Sequence, residues 1–478
     1  MSTKRREFLK MSGLTGLSVF GASMLGNATD RLPDGFEASS GGARRFNMSG
    51  YRAPKLDTVR VGFIGLGMRG PTHVYGFSHI AGVQVAGLCD IRPEKVEAME
   101  KQLAGTSHKP IAYSGDANAW KKMCDRDDID LIVIATPWNQ HVEQAVYAME
   151  AGKHVAIEVP AATTLKECWQ LVNTSEKTKK HCMMMENCCY DFFEIMTLNM
   201  ARQGYFGELL HAEGAYIHDL LELNFAKDGY WDMWRLKENY RNGNLYATHG
   251  LGPIAQALDI NRGDKMVNLT STSSADFTMQ AHARELAATD PFFAPYVDKK
   301  FRGNFNVTNI LTEKGRTITL FHDVSSPGPY SRVHLLMGNK ARALKYPEPA
   351  RISSGHKWLT EGEMAKLEEK YTPQIVKKVG EMAKKIGGHG GMDFMMQWHL
   401  VDCLRNGLPL PQDVYDAALW SAVSPLSEWS VAHDSKSIKV PDFTNGWYKT
   451  NEPVSLELEA GDTKVVASVL EKRFTEYV

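Results

Sequence analysis

The chain has neither a C-x-x-C pair nor an H-E-x-x-H segment. Its seven cysteines (Cys89, Cys124, Cys168, Cys182, Cys188, Cys189 and Cys403) are odd in number and mostly embedded in apolar runs. They read as buried thiols, so neither a disulfide framework nor a metal site is expected. A charge imbalance is missing as well: 55 Lys and Arg face 56 Asp and Glu, a formal net charge of −1. That gives no support to a nucleic-acid partner or a membrane-surface role. Past the N-terminal stretch no apolar run is long enough to span a bilayer. What is present describes a globular protein of 478 residues, 43% hydrophobic and 23% charged. That is enough for two or three domains with real cores.

The first residues read as an address. Lys4-Arg5-Arg6-Glu7-Phe8-Leu9-Lys10 precedes a mildly apolar, Gly- and Ser-rich run from Met11 to Leu25, with small residues around Gly26-Asn27-Ala28. A basic start, a short apolar stretch and small residues describe a removable export signal over residues 1–30. The paired arginines resemble the twin-arginine type, which implies a periplasmic protein. Residues 31–57 read as a linker or arm.

Val59 to Ile64 is a short apolar, β-branched-rich strand, and Gly65-Leu66-Gly67-Met68-Arg69-Gly70 follows it with G-x-G-x-x-G spacing. The glycines suit a tight turn, close approach to a pyrophosphate and close helix–strand packing. The helix that opens there aims unpaired N–H groups at phosphates. A second strand, Val83 to Cys89, ends in Asp90, twenty residues past Gly70. A carboxylate there binds both ribose hydroxyls of NAD and repels the extra phosphate of NADP. Arg92 beside it keeps NADP open.

Strands then alternate with helices. Leu131 to Thr136 ends at Pro137-Trp138-Asn139-Gln140-His141, His154 to Ile157 ends at Glu158-Val159-Pro160, and His181 to Met185 ends at Glu186-Asn187. Thr164 and Glu167 form a capping-box pattern. Ligands bind at the carboxyl edge of an open parallel sheet. The expected cofactor contacts are therefore Gly65, Gly67, Met68, Arg69, Asp90, Trp138, Asn139, Gln140, His141, Glu158, Val159 and Asn187.

These motifs resemble the Gfo/Idh/MocA oxidoreductase family. Members commonly carry Glu-Lys-Pro where this chain has Glu158-Val159-Pro160, with the lysine beside the nicotinamide. Further motifs resemble glycoside hydrolase family 109: Gly243 to Pro253 (GNLYATHGLGP), Ser326 to Arg332 (SPGPYSR), Gly388 to Asp393 (GHGGMD), Leu404 to Pro409 and Ser424 to Ser430. The resemblance runs from about residue 58 to residue 443. It implies a Rossmann domain over 58–187 and a substrate-binding domain with an open, largely antiparallel sheet over 188–443, an α/β chain overall. Alternation in Asn306 to Leu311 and Arg316 to Phe321 supports sheet strands there independently. Residues 444–478 have no reading beyond a strand or helix at Val454 to Leu470.

The resemblance also implies an NAD-dependent glycosidase acting on α-N-acetylgalactosaminides. In that cycle a sugar hydroxyl is oxidised, the glycosidic oxygen is eliminated, water adds, and the hydride returns, with no net redox change. Carried over residue by residue, the substrate contacts are Tyr216, Arg235, Tyr246, Ala247, Thr248, His249 and Tyr330. His249 is the first candidate for acid–base work because imidazole titrates near neutral pH. Tyr330 and Tyr190 are further candidates, each needing a neighbouring cation to act as a base. The runner-up is an exported sugar oxidoreductase with tightly bound NAD(P), which Val159 argues against. A third class is a sugar-binding scaffold. The partner expected is a small molecule or glycan; assembly into homo-oligomers stays open.

Overall fold

The structure is a computed structural model, and it describes residues 32–36, 46–453 and 455–466. The expected export signal and part of the arm lie outside the described residues.

The first sheet holds β1 (Val59–Ile64), β2 (Val83–Asp90), β3 (Ile111–Ser114), β4 (Leu131–Ile134), β5 (His154–Ile157) and β6 (Cys182–Met184). All pairings are parallel, in the order β3-β2-β1-β4-β5-β6. Every residue of β4 and β5 is buried, as a sheet covered on both faces demands. The order reverses at β1, which opens a crevice at its carboxyl end. Helix α1 (Gly70–Ser78) starts in that crevice, and α2 (Leu165–Thr178) follows β5 behind the expected Thr164–Glu167 capping box.

The second sheet has nine strands: β7 (Leu209–Ile217), β8 (Met266–Ser273), β9 (Asn306–Thr312), β10 (Thr317–Asp323), β11 (Leu335–Gly338), β12 (Ala341–Leu344), β13 (Arg351–Ser354), β14 (Lys357–Trp358) and β15 (Ile438–Lys439). Only β7 and β10 pair in parallel; the rest are antiparallel. The sheet is thus mixed but largely antiparallel. Burial alternates along β9 and β10, so one face packs inward.

One helix packs within the second half, and two tie the halves together. Helix α3 (Thr248–Ala257) lies on β7. Helix α4 (Met392–Asn406) packs on α1 and β1, and α5 (Val414–Ala432) lies between α2 with β6 and the strand β8. Gly76 leaves room for this: a Cβ there would sit 1.8 Å from Gln397 Oε1. The halves therefore share one apolar core. The C-terminal extension begins with a short 3-10 helix (Trp447–Lys449), and its described residues 455–466 form neither a helix nor a regular strand. Instead, Ala81 N–H donates to the Lys464 carbonyl and Val466 N–H to the His79 carbonyl, each at 2.8 Å. Trp398 Nε1 donates to the Thr463 carbonyl (3.1 Å), so the extension clasps α1 to α4. All seven cysteines are free and buried. No described helix is long and apolar enough to cross a membrane.

His181 is buried beside His154 and Tyr51, and its pKa is pushed down to about 4 by burial and then by the Lys180 charge. A histidine depressed on folding leaves stability intact above pH ~6.5 and costs stability as pH falls toward its folded value. Urea unfolding of His181→Phe at two pH values checks this. Relative to the parent, the variant gains about 2 kcal/mol on going from pH 7.5 to pH 5.

Candidate active site

The glycine turn is a cradle that side chains would fill. A Cβ on Gly70 would lie 2.0 Å from the Gly65 carbonyl oxygen. Gly65 itself has φ +90°, and a Cβ there would meet the Ala135 carbonyl at 2.6 Å. No side chain caps the first turn of α1, so its orphan N–H groups are open to a ligand. Asp90 Oδ2 accepts from Leu66 N–H (2.7 Å), and Oδ1 accepts from Arg92 N–H (2.9 Å) and Arg92 Nε (3.2 Å). Open donors, a cradle and an acid at the next strand end fit a dinucleotide. Gly65, Gly67, Met68, Arg69 and Asp90 would hold it.

At the other end of the crevice a buried charge network joins both halves. Arg69 Nε donates to Glu158 Oε1 (2.9 Å), and its NH1 donates to Asp393 Oδ2 (3.0 Å). His73 Nε2 meets the same Glu158 oxygen at 2.5 Å, while Gln397 Nε2 donates to His73 Nδ1. Asp393 accepts from Asn187 Nδ2 (2.7 Å) and from His389 Nδ1 (2.9 Å). Burial pushes the Glu158 and Asp393 carboxyls up. The Arg69 charge, with His73 and His389, outweighs it and holds both well below the usual carboxylate range. Val159 is buried.

Next to this network stands an aromatic box. Trp138 stacks on Tyr246 (centroids 5.5 Å apart), and Tyr246 leans on Tyr216 (4.6 Å). The Arg235 guanidinium lies over Trp138, Tyr230 and Tyr246 at 4.9–5.6 Å and donates to Tyr230 Oη. Tyr216 Oη meets His218 Nδ1 (3.1 Å), and Tyr330 packs edge-on to His218. Burial pushes the Tyr216 phenol up to about 12, and the Tyr246 and Tyr330 phenols well above their ordinary value. Each nearby arginine opposes the shift without reversing it. The phenols are therefore donors at neutral pH.

His249 enters this box from the first turn of α3. Gly214 and Gly250 let α3 and β7 touch backbone to backbone: a Cβ on Gly214 would lie 2.4 Å from the Gly250 carbonyl oxygen. That contact sets the His249 ring 5.4 Å from Tyr216 and 4.9 Å from Tyr246. Its Nδ1 faces both oxygens of the fully buried Glu186, at 2.7 and 3.0 Å. A carboxylate there holds the proton on Nδ1 and leaves the basic lone pair on Nε2. Ala247 and Thr248 complete the run, and Thr248 Oγ1 is buried without a hydrogen-bond partner.

Some expected residues lie elsewhere. The Tyr190 hydroxyl points to His399 Nδ1 (3.1 Å) in a small apolar chamber with Ile375 and Leu458. Burial pushes its pKa well above 10, and the geometry does not bring it to His249. The His141 ring is buried between the carbonyls of Pro160 and Thr136, both at 2.8 Å, so its side chain braces two strand ends. Asn139 and Gln140 are exposed at the rim. Conversely, Glu186, His218, Asp393 and Arg332 are site groups that the sequence reading left unassigned. Glu186 stands at the end of β6, the same edge that yields Asn187. Arg332 is buried, donates to Tyr330 Oη, and is itself held by Asp191 and Glu194.

Gly252 leaves room for the carboxylate: a Cβ there would sit 2.8 Å from Glu186 Cγ and 3.0 Å from Cys189 Sγ. Gly252→Ala should destabilise the chain by about 1–3 kcal/mol through overpacking. It should also lower kcat more than a distant variant of equal stability cost does, because it dislodges Glu186 from His249. Thermal melts and steady-state kinetics together check this.

Comparison with known proteins follows the same division. Residues 59–186 match the model for the oxidoreductase family with an NAD-binding Rossmann fold, and residues 190–450 match the glycosyl hydrolase 109 C-terminal domain. The chain is 48% identical over 420 residues to glycosyl hydrolase family 109 protein 1 of Bacteroides fragilis, covering 84% of this chain and 88% of that one. It is 44% identical over 456 residues to a family 109 protein of Solibacter usitatus, covering 95% and 99%. Two solved structures share the fold. Scyllo-inositol dehydrogenase from Lactobacillus casei with NAD(H) and scyllo-inositol has TM-score 0.56 and 12% identity, over 80% of this chain and 99% of that one. Aldose-aldose oxidoreductase from Caulobacter crescentus has TM-score 0.56 and 17% identity, over 80% and 99%. The chain belongs to glycosyl hydrolase family 109, on the framework of the Gfo/Idh/MocA oxidoreductases.

Proposed function

We propose that this protein hydrolyses terminal α-N-acetylgalactosaminides with a retained NAD and no net redox change. The observation that carries the reading is the Glu186–His249 pair, at 2.7 Å, facing an arginine-lined aromatic box beside a dinucleotide crevice. A glycosidase on this fold is what the family assignment supports; the sugar and the redox cycle are our own reading. Bound in that crevice, NAD would supply a reversible acceptor for the hydride on the carbon that bears a sugar hydroxyl, whose own proton goes to a base.

The chain's own groups divide the remaining work. Trp138, Tyr216 and Tyr246 offer apolar faces on which a sugar ring can lie. Arg235 is a fixed cation for substrate oxygens, such as an acetamido carbonyl. His249 Nε2 takes a proton, and Glu186 stabilises the imidazolium that results. Tyr330, backed by Arg332, donates a hydrogen bond to a departing or carbonyl oxygen. Val159 supplies no amine, so the proton transfers fall to His249. A redox-neutral cycle also suits export: an enzyme that regenerates its own NAD needs no outside pool. The twin-arginine-type start and a periplasmic site of action belong to this proposal.

An aryl α-N-acetylgalactosaminide tests it. Aryl alcohol should be released without NADH accumulating, and deuterium from solvent should enter the sugar's second carbon. His249→Ala should cut turnover by about two orders of magnitude or more, with bound NAD unchanged. NADH build-up without aryl release would point to the oxidoreductase reading instead.

A further inference from the structure

The segment from Tyr230 to Glu238 belongs to the second half of the chain, yet it touches the cofactor half at two strand ends. Trp231 lies against the Arg92 guanidinium, which is 4.9 Å from the ring centroid. Arg92 follows β2 and already donates to Asp90. Three residues on, Trp234 packs edge-on against Trp138, with centroids 5.2 Å apart. Trp138 follows β4. Between β2 and β4 lies β1, which runs directly into Gly65. A segment bridging those two ends, two strand spacings or about 10 Å apart, passes over the mouth of the glycine turn.

Two further features mark the segment. Asp232 (φ 53°) and Met233 (φ 47°) are consecutive non-glycine residues in the left-handed region. Such backbone persists where its surroundings hold it, and it clusters at ligand clamps. Met233 is buried and anchors the bend, while Trp231 keeps half its surface exposed (50%). The fold thus places a large aromatic ring at the crevice rim without packing it away.

We propose that residues 230–238 form a strap over the cofactor crevice, in which Trp231 and Arg92 hold the adenosine half of the dinucleotide and slow its release. Asp90 marks where that half's ribose binds, and Arg92 is its immediate neighbour. A guanidinium plane stacks on an adenine as readily as on an indole. Contact between Trp231 and Arg92 would close the rim once the nucleotide is seated. This rests on the dinucleotide part of the proposed function and not on the sugar.

The test reads cofactor exchange. Full-length protein is loaded with radiolabelled NAD, chased with excess unlabelled NAD, and sampled by rapid gel filtration. Trp231→Ala should lose label at least tenfold faster than the parent. Trp231→Phe, which keeps a ring over Arg92, should stay within about threefold. Trp231 is half exposed, so the fold survives its truncation, and a melt of the NAD-free variant checks that. An unchanged exchange rate in Trp231→Ala overturns the strap, whether or not the aryl glycoside is cut. A parent that retains no label overturns the strap and the NAD reading together.

Discussion

One guanidinium holds the two halves of this protein in register. Arg69 leaves the cofactor turn and is shared between Glu158, at the end of β5, and Asp393, at the start of α4. Both carboxylates are buried, and a buried charge without its partner costs several kcal/mol. Every neighbour of this centre is constrained in turn. His73 and Gln397 fix α1 against α4, while Asn187 and His389 hang on the second Asp393 oxygen and its partner. The crevice therefore cannot open far along this side without parting two buried carboxylates from their cation.

Chemistry in the adjoining box is divided by burial. Burial keeps the phenols of Tyr216, Tyr246 and Tyr330 in their protonated forms. It pushes the His218 ring the other way, toward the neutral form, with Arg235 adding to the effect. What remains is a set of fixed donors around a single carboxylate-oriented imidazole, His249. The glycines at 214, 250 and 252 create that arrangement by removing side chains where backbone and carboxylate must pass. A motif rich in glycine is here a way of bringing functional groups close.

The central strands of the first sheet were readable because a doubly covered parallel strand leaves a short, continuous apolar run. Val59 to Ile64, Leu131 to Ile134 and His154 to Ile157 are of that kind. The glycine turn and Asp90 were readable because their spacing is local. Glu186 was not, because its role depends on His249, 63 residues away, and on the Gly252 gap between them. Tyr190 misled for the converse reason: sequence position put it near the β6 strand end, while the turn of chain there aims its hydroxyl at His399. His141 likewise sits in the right loop with its ring turned inward. A boundary drawn along the chain does not separate the halves in space, since α4 and α5 finish the packing of a sheet that ends before residue 188.

That last feature bears on how the polypeptide is made. Helix α5 is encoded more than two hundred residues after β6, yet it rests on β6 and α2, and Ser421 accepts from the backbone N–H of Ala161. During synthesis the nucleotide-binding half emerges first with part of its apolar surface bare, and it stays so until almost the whole chain has left the ribosome. Maturation is then a late, chain-wide event, and the first half is a poor candidate for life as a separate piece.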